Sequence, residues 1–153
     1  MRTYLVVIDE TPEAEVALRF AARRAAKTGG TLEVLALVPK PEFVAWGGVQ
    51  ATMEQEAREH AEGLVTAALG TVAEEARLKA APAIRVRHGS PVEEVHATIA
   101  ENPEIGALVL GAAASGAPGP LVSHFAGANA GKLACPLMIV PGGLSNEALD
   151  RLS

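Results

Sequence analysis

The residues best suited to bind a ligand lie in a loop of small side chains after a predicted apolar strand at 107–111. The loop, 112–120, reads AAASGAPGP and contains Ser115, Gly116 and Gly119. Small side chains let main-chain N–H groups approach a ligand closely, and the first N–H groups of the following helix lack partners within the helix. Ser123 adds a hydroxyl near the start of that helix. These features indicate a phosphate site, or a tight turn that only leads into the helix.

A carboxylate follows the first apolar run of the chain. Asp9 comes directly after residues 4–8, YLVVI, which are typical of a strand covered on both faces. At such a strand end an aspartate can accept hydrogen bonds from sugar hydroxyls, or it can cap the helix that follows. We favour the ligand role. His88 follows a later predicted strand and could line the same site, although a histidine in a solvated turn is more common.

Other residue types give little support for catalysis or for a metal site. Asp9, Glu10 and Glu13 cluster without an evident catalytic partner. The four histidines lack the spacing of a zinc site, and the single cysteine, Cys135, is expected to be a structural thiol. Residues 127–133, GANAGKL, depart from the phosphate-binding P-loop in spacing and lack its hydroxyl. We therefore predict no catalytic residues and no metal, and we expect Gly127 and Gly131 to permit close packing of a helix.

Length, composition and charge limit the class of protein. The chain has 153 residues, 49% hydrophobic composition and a net charge of −5, which fits one domain over 1–153. Its basic residues are scattered, so we expect no nucleic-acid partner. No run of residues resembles a secretion signal or reaches the length of a membrane span, so we expect a cytoplasmic protein without a membrane partner.

Apolar periodicity predicts alternating strands and helices. The predicted strands are 4–8, 31–38, 83–87, 107–111 and 137–140, and the predicted helices are 12–28, 51–79, 91–102, 121–133 and 145–152. Alternating basic residues place 83–87 near an edge of the sheet. Alternation of this kind predicts an α/β fold with a parallel sheet, helices on both faces and ligands at the carboxyl strand ends. The residues at these strand ends, and so the candidates to line a ligand site, are Asp9, Val38, His88 and Gly111.

Helix starts carry capping signals. Thr11 and Ser90 each precede a proline, as expected of N-cap residues, and Ser90 with Glu93 has the spacing of a capping box. Leu144 and Ser145 suggest a hydrophobic staple and an N-cap for the short C-terminal helix, with Leu149 as the packing partner of Leu144. Phe43 and Trp46 could cover the mouth of the site, contact a second subunit, or pack on the protein's own surface.

Five segments together resemble the universal stress protein family over nearly the whole chain. They are 5–12 (LVVIDETP), 35–38 (LALV), 88–94 (HGSPVEE), 108–111 (LVLG) and 135–140 (CPLMIV). The resemblance implies a three-layer, Rossmann-like fold of the adenine nucleotide alpha hydrolase type, with an open five-stranded parallel sheet of order 3-2-1-4-5. It also implies a homodimer, which we expect to form through strand 137–140.

In one branch of the family the resemblance implies bound ATP or AMP. Asp9 would then meet the ribose and adenine, a backbone group near Val38 would contact adenine, and the loop that begins at Gly111 would surround the phosphates. The chain departs from the family's glycine motif, because Ala114 replaces the second glycine and Ser123 and His124 stand at its end. Ser115, Gly116 and Gly119 offer a substitute loop, and Ser123 and His124 could contact the phosphates at its end. Ala114 keeps its N–H group, but its Cβ limits the conformations available to the loop.

The leading interpretation is a stress-response module that binds an adenine nucleotide and hydrolyses ATP slowly at most, with Mg²⁺ left open. The alternative is a homodimeric interaction protein whose altered phosphate loop stays empty. A hydrolase or adenylate-transferring enzyme on the same frame is a third, less favoured interpretation.

Overall fold

A five-stranded parallel sheet forms the centre of the molecule. The computed structural model describes residues 2–38, 47–70, 78 and 80–153, with the side chains of 47–50 excluded. The strands are β1 Thr3–Ile8, β2 Thr31–Val38, β3 Ala83–His88, β4 Ile105–Ala112 and β5 Leu137–Pro141. The helices are α1 Pro12–Thr28, α2 Gly47–Leu69, α3 Pro91–Glu101, α4 Pro120–Phe125 and α5 Asn146–Leu152, with a 3₁₀ turn at Ala130–Lys132.

The strand order is β3-β2-β1-β4-β5, as predicted. All six residues of β1 are buried, and its centre pairs with β2 on one side and with β4 on the other. Val6, for example, is in register with Val34 and Val109. A continuous apolar strand fits this central position because helices cover both of its faces. The predicted fold class is confirmed.

Two hydrophobic clusters lie on opposite faces of the sheet. The first packs β1, β2 and β4 against α1, α2 and α5, and much of α1's contribution comes from alanines such as Ala17, Ala21 and Ala25. These small side chains let α1 lie close to the sheet. The second cluster packs the other sheet face against α3 and α4, with Val95, Ile99 and Phe125 buried at its centre.

The position of β3 at an edge of the sheet is confirmed. Its basic side chains form ion pairs: Arg85 with the buried carboxylate of Glu33, and the partly buried Arg87 with Glu94 and Glu101. Glu33 also accepts a hydrogen bond from Asn102, with Nδ2 and Oε2 2.8 Å apart. The other edge of the sheet is β5, which pairs with β4.

The helix predicted at 121–133 is shorter than expected. Helix α4 ends at Phe125, and the chain continues through turns at 126–129 into the 3₁₀ turn. Gly127 and Gly131 lower helix propensity in this segment, and α4 is too short to offset that cost. Both glycines are exposed, and a Cβ added to Gly131 would meet no atom within 4 Å. The prediction that they permit close helix packing is therefore wrong.

Helix α2 begins at Gly47, four residues before its predicted start, and ends at Leu69 with a turn at Gly70. Of the remaining predicted helix, residues 71–77 and 79 lie outside the described residues. Phe43 and Trp46 also lie outside them. Within the described ranges, no helix has both the length and the hydropathy needed to span a membrane.

The capping signals differ in outcome. Ser145 caps α5 through its side-chain oxygen, which accepts a hydrogen bond from the Ala148 N–H at 3.2 Å. The predicted C-terminal helix is confirmed, and Leu144 packs against the cluster that contains Leu149. Ser90 is at the N-cap of α3, but its side chain makes no capping bond, so the predicted capping box does not form. Proline at the first helical position of α3 already removes one N–H that would need a partner.

Candidate functional site

Two clefts open at the carboxyl end of β1, and Asp9 lines both of them. The β4-side cleft lies among Asp9, Glu13, Gly111, Gly119 and neighbouring residues of α1 and α4. The β2-side cleft lies among Asp9, Val38 and residues of α2. In the sheet, β1 lies between β2 and β4. Strands β2 and β3 extend the sheet on one side of β1, and β4 and β5 extend it on the other side. This is the switch point at which open parallel sheets bind ligands.

The Asp9 carboxylate is held by the residue before α1. Its Oδ1 atom accepts a hydrogen bond from the Thr11 N–H at 3.0 Å and another from the Thr11 hydroxyl. Thr11 is at the N-cap position, as predicted, but its side chain donates to Asp9 and does not cap the helix. The carboxylate is therefore oriented by its own turn, and it is exposed to solvent where the clefts meet.

Gly111, at the end of β4, lets α1 pack closely against the sheet. A Cβ added to Gly111 would lie 2.6 Å from the carbonyl carbon of Glu13 and closer still to its oxygen. A Cβ added to Gly142 would lie 2.5 Å from the Ala112 carbonyl oxygen and 2.9 Å from Cβ of Glu13. Close packing against the first turn of α1 therefore explains why Gly111 and Gly142 are glycine, whether or not a ligand binds.

The glycines of the loop after β4 are explained by its backbone conformation. Gly116 has φ of 74° and Gly119 has φ of 116°, both in the region that favours glycine. The Ala113 N–H donates to the Pro118 carbonyl at 3.1 Å and closes the loop on itself. Ala114 does not have a positive φ, so its Cβ is not strained in this conformation. The loop is therefore a stable turn whose end, at Gly119, borders the β4-side cleft.

The β2-side cleft is the larger of the two, with about 270 Å³ against about 50 Å³ on the β4 side. Val38 is buried at the end of β2 and forms one of its walls. Helix α2 forms another wall with Met53, Glu56 and His60, which sequence reasoning missed. Their spacing of three and four residues places them on one face of a helix, and that spacing was the available signal.

The charged groups around both clefts are mostly acidic. Among the described lining residues, Asp9 and Glu13 border the β4-side cleft, while Asp9, Glu10 and Glu56 border the β2-side cleft together with His60. No lysine or arginine belongs to this described lining. Carboxylates accept hydrogen bonds, so the arrangement suits hydroxyl and amino groups of a ligand.

The structure brings four of the eight predicted binding residues to the clefts: Asp9, Val38, Gly111 and Gly119. The other four, Ser115, Gly116, Ser123 and His124, line neither cleft. Ser115 and Gly116 are exposed in the loop, and Ser123 is exposed on α4. The His124 ring meets Phe125 edge-on, with ring centroids 4.9 Å apart. His88, at the end of β3, places Nδ1 3.3 Å from Oε1 of Glu54 on α2.

Two further chemical groups lie outside the clefts. Cys135 packs against the second hydrophobic cluster, and burial raises the pKa of its thiol, while a hydrogen bond with the Leu108 backbone opposes that rise. A partly buried thiol whose pKa is raised is a weak nucleophile at neutral pH. In the part of the chain that the structure describes, no group of three or more His, Cys, Asp or Glu residues is placed to hold a metal ion.

Solved structures of related proteins share this fold. The universal stress protein UspA from Lactobacillus plantarum is 19% identical, with a TM-score of 0.66 over 91% of this chain and 97% of that one. A universal stress protein from Archaeoglobus fulgidus in complex with dAMP is 19% identical, with a TM-score of 0.56 over 91% and 97%. A universal stress protein in complex with cAMP is 16% identical, with a TM-score of 0.56 over 91% and 96%.

At these identities the structural likeness shows a common fold and does not by itself show a common ligand. No curated protein sequence matches the chain. The sequence model of the universal stress protein family matches residues 1–141, which is most of the 153 residues. The chain belongs to the universal stress protein family.

Proposed function

We propose that this protein is a stress-response module that binds an adenine nucleotide across the two clefts at the carboxyl end of β1. The observation that carries the proposal is the position of Asp9, whose carboxylate is exposed at the junction of both clefts and oriented by Thr11. Two proteins of the same fold, in complex with cAMP and with dAMP, support an adenine-containing ligand.

The sizes of the clefts suggest which part of the ligand each one takes. The β2-side cleft, about 270 Å³, is close to the smallest volumes typical of small-molecule sites and would take the base. Asp9 would accept hydrogen bonds from the ribose hydroxyls at the junction. The phosphate would point toward Gly111 and Gly119 in the β4-side cleft. Ligand binding at one hundred times the dissociation constant would add about 2.7 kcal/mol to the free energy of unfolding.

Calorimetric titration with AMP, cAMP and ATP tests this proposal. We expect saturable binding that weakens by about tenfold in Asp9→Ala, because the variant lacks the acceptor for the ribose hydroxyls. Glu15→Ala is the matched control, since Glu15 is an exposed acidic residue on α1 that lines neither cleft. Absence of binding to all three nucleotides at millimolar concentration would refute the proposal, and equal loss in both variants would refute the role of Asp9.

A second candidate function is a homodimeric interaction protein that works without nucleotide. The favouring observation is strand β5, an edge strand whose Ile139 is 42% exposed. Pairing of β5 across a two-fold axis would satisfy its free backbone groups and cover this side chain. The cytoplasm remains our expectation for where either function takes place.

Light scattering with size-exclusion chromatography tests the dimer. We expect Ile139→Lys to shift the mass toward the monomer, whereas Leu152→Lys, which changes a 53% exposed leucine on α5, should leave the mass unchanged. A dimer that survives Ile139→Lys would contradict this placement. A dimer without any nucleotide binding would favour the second candidate over the first.

A further inference from the structure

We infer that the β4-side cleft selects a ligand with a single phosphate, so that a nucleoside monophosphate binds more tightly than the corresponding triphosphate. Glu13 is the residue assigned to this discrimination. The inference rests on the proposed nucleotide function and adds to it the charge class of the ligand. It follows from three features of the β4-side cleft: its carboxylates, the fixed position of Glu13, and its volume.

The first feature is charge. The phosphate end of the proposed site is bordered by two acidic residues, Asp9 and Glu13, and the described residues around it include no lysine or arginine. A triphosphate carries more negative charge than a monophosphate, and each added charge is repelled by both carboxylates. Repulsion between charges in water is weak but adds over several pairs, so a triphosphate is disfavoured relative to a monophosphate.

The second feature is that the main chain and Cβ of Glu13 are held at the cleft. Its main chain packs against Gly111, where an added Cβ would lie 2.6 Å from the Glu13 carbonyl carbon. Its Cβ packs beside Gly142, where an added Cβ would lie 2.9 Å away. The first turn of α1 is thus fixed between the ends of β4 and β5. Rotation of the carboxylate remains possible, but Cα and Cβ of Glu13 stay at the cleft.

The N-terminus of α1 does not compensate for this charge. A helix N-terminus carries a partial positive charge, which can stabilise a phosphate. In α1, however, the first turn already contains the carboxylates of Glu13 and Glu15. These side chains interact favourably with the same partial charge and leave less of it for a ligand.

The third feature is volume. The β4-side cleft encloses about 50 Å³. One ordered water molecule needs on the order of 10–15 Å³ of such space, so the cleft holds about four waters. This is comparable to one phosphate group with its few non-hydrogen atoms. The space therefore matches one phosphate, and the further phosphates of a triphosphate would extend beyond it.

Calorimetric titration with AMP and ATP in the presence of a chelator of divalent cations tests the inference. We expect ATP to bind at least tenfold more weakly than AMP. The variant Glu13→Gln keeps the size of the side chain and removes its charge. In this variant we expect the dissociation constant of ATP divided by that of AMP to fall about threefold or more. Glu15→Gln removes the same charge from the same helix turn outside both clefts and should leave the ratio unchanged.

The outcomes are distinct. Tight binding of ATP, equal to or better than that of AMP, would overturn the inference and leave the proposed nucleotide function in place. A ratio that does not respond to Glu13→Gln, or that responds equally to Glu15→Gln, would overturn the role of Glu13. If neither nucleotide binds, both the inference and the proposed function fail.

Discussion

Replacing Gly111 by alanine tests whether this glycine serves packing or only a ligand. The added Cβ would lie 2.6 Å from the carbonyl carbon of Glu13, and no side-chain rotation can relieve a clash with main-chain atoms. Overpacking of a folded interior costs about 1–3 kcal/mol, and a clash with backbone belongs at the upper end of that range. For a chain of this length, 3 kcal/mol corresponds to a fall in Tm of about 6–12 °C.

The assay is thermal unfolding of the nucleotide-free protein, followed by circular dichroism, with Gly131→Ala as the matched control. An added Cβ at Gly131 meets no atom within 4 Å, and Gly131 does not have a positive φ. Both substitutions restrict the unfolded chain equally, so the difference between their Tm values reports the clash in the folded state. If Gly111→Ala melts within about 2 °C of Gly131→Ala, the packing role of Gly111 is refuted.

Three further predictions concern stability. Asp150→Ala should lower the free energy of unfolding in urea by about 1–2 kcal/mol, because the buried Arg23 loses a carboxylate partner, and a loss below 0.5 kcal/mol would contradict the ion pair. Ser145→Ala should lower the free energy of unfolding by about 1 kcal/mol in the same assay, and Ser90→Ala should lower it clearly less, because Ser145 makes a side-chain capping bond and Ser90 does not. Equal losses in the two variants would refute the capping role of Ser145. Burial raises the pKa of Cys135, so the folded chain holds its thiol proton more tightly than the unfolded chain, and stability should fall as pH rises above about 9. In Cys135→Ala, the urea midpoint should fall less above this pH than it does in the unchanged protein. Identical pH profiles for the two proteins would contradict the prediction.

The sheet was predictable because its signals are local and strong. Continuous apolar runs such as 4–8 are typical of strands that are covered on both faces, and the alternating basic residues of 83–87 are typical of an edge strand. The end of α4 was not predicted correctly. Alanines in 126–130 favour a helix by propensity, whereas Gly127, Gly131 and the lack of a buried face end it at Phe125.

The candidate site was predictable only where it depends on topology. Asp9 and Val38 follow directly from the rule that ligands bind at carboxyl strand ends. Glu13 was visible only as one of a cluster of acids, because its place beside Gly111 depends on how closely α1 approaches the sheet. The place of His60 depends on which face of α2 borders the cleft, and the spacing defines a helix face without showing what that face contacts. The residues that sequence reasoning missed are therefore those whose position depends on contacts between distant segments of the chain.

The unequal lengths of the helices have a consequence for hydrogen exchange. Helices α1 and α2 cover one face of the sheet with long segments, whereas the six residues of α4 cover part of the other face. Short segments at the surface of a domain can unfold locally at lower free energy than its core strands. Deuterium should therefore enter the amides of α4 and the turns after it well before those of β1, and the protein should show two tiers of amide protection.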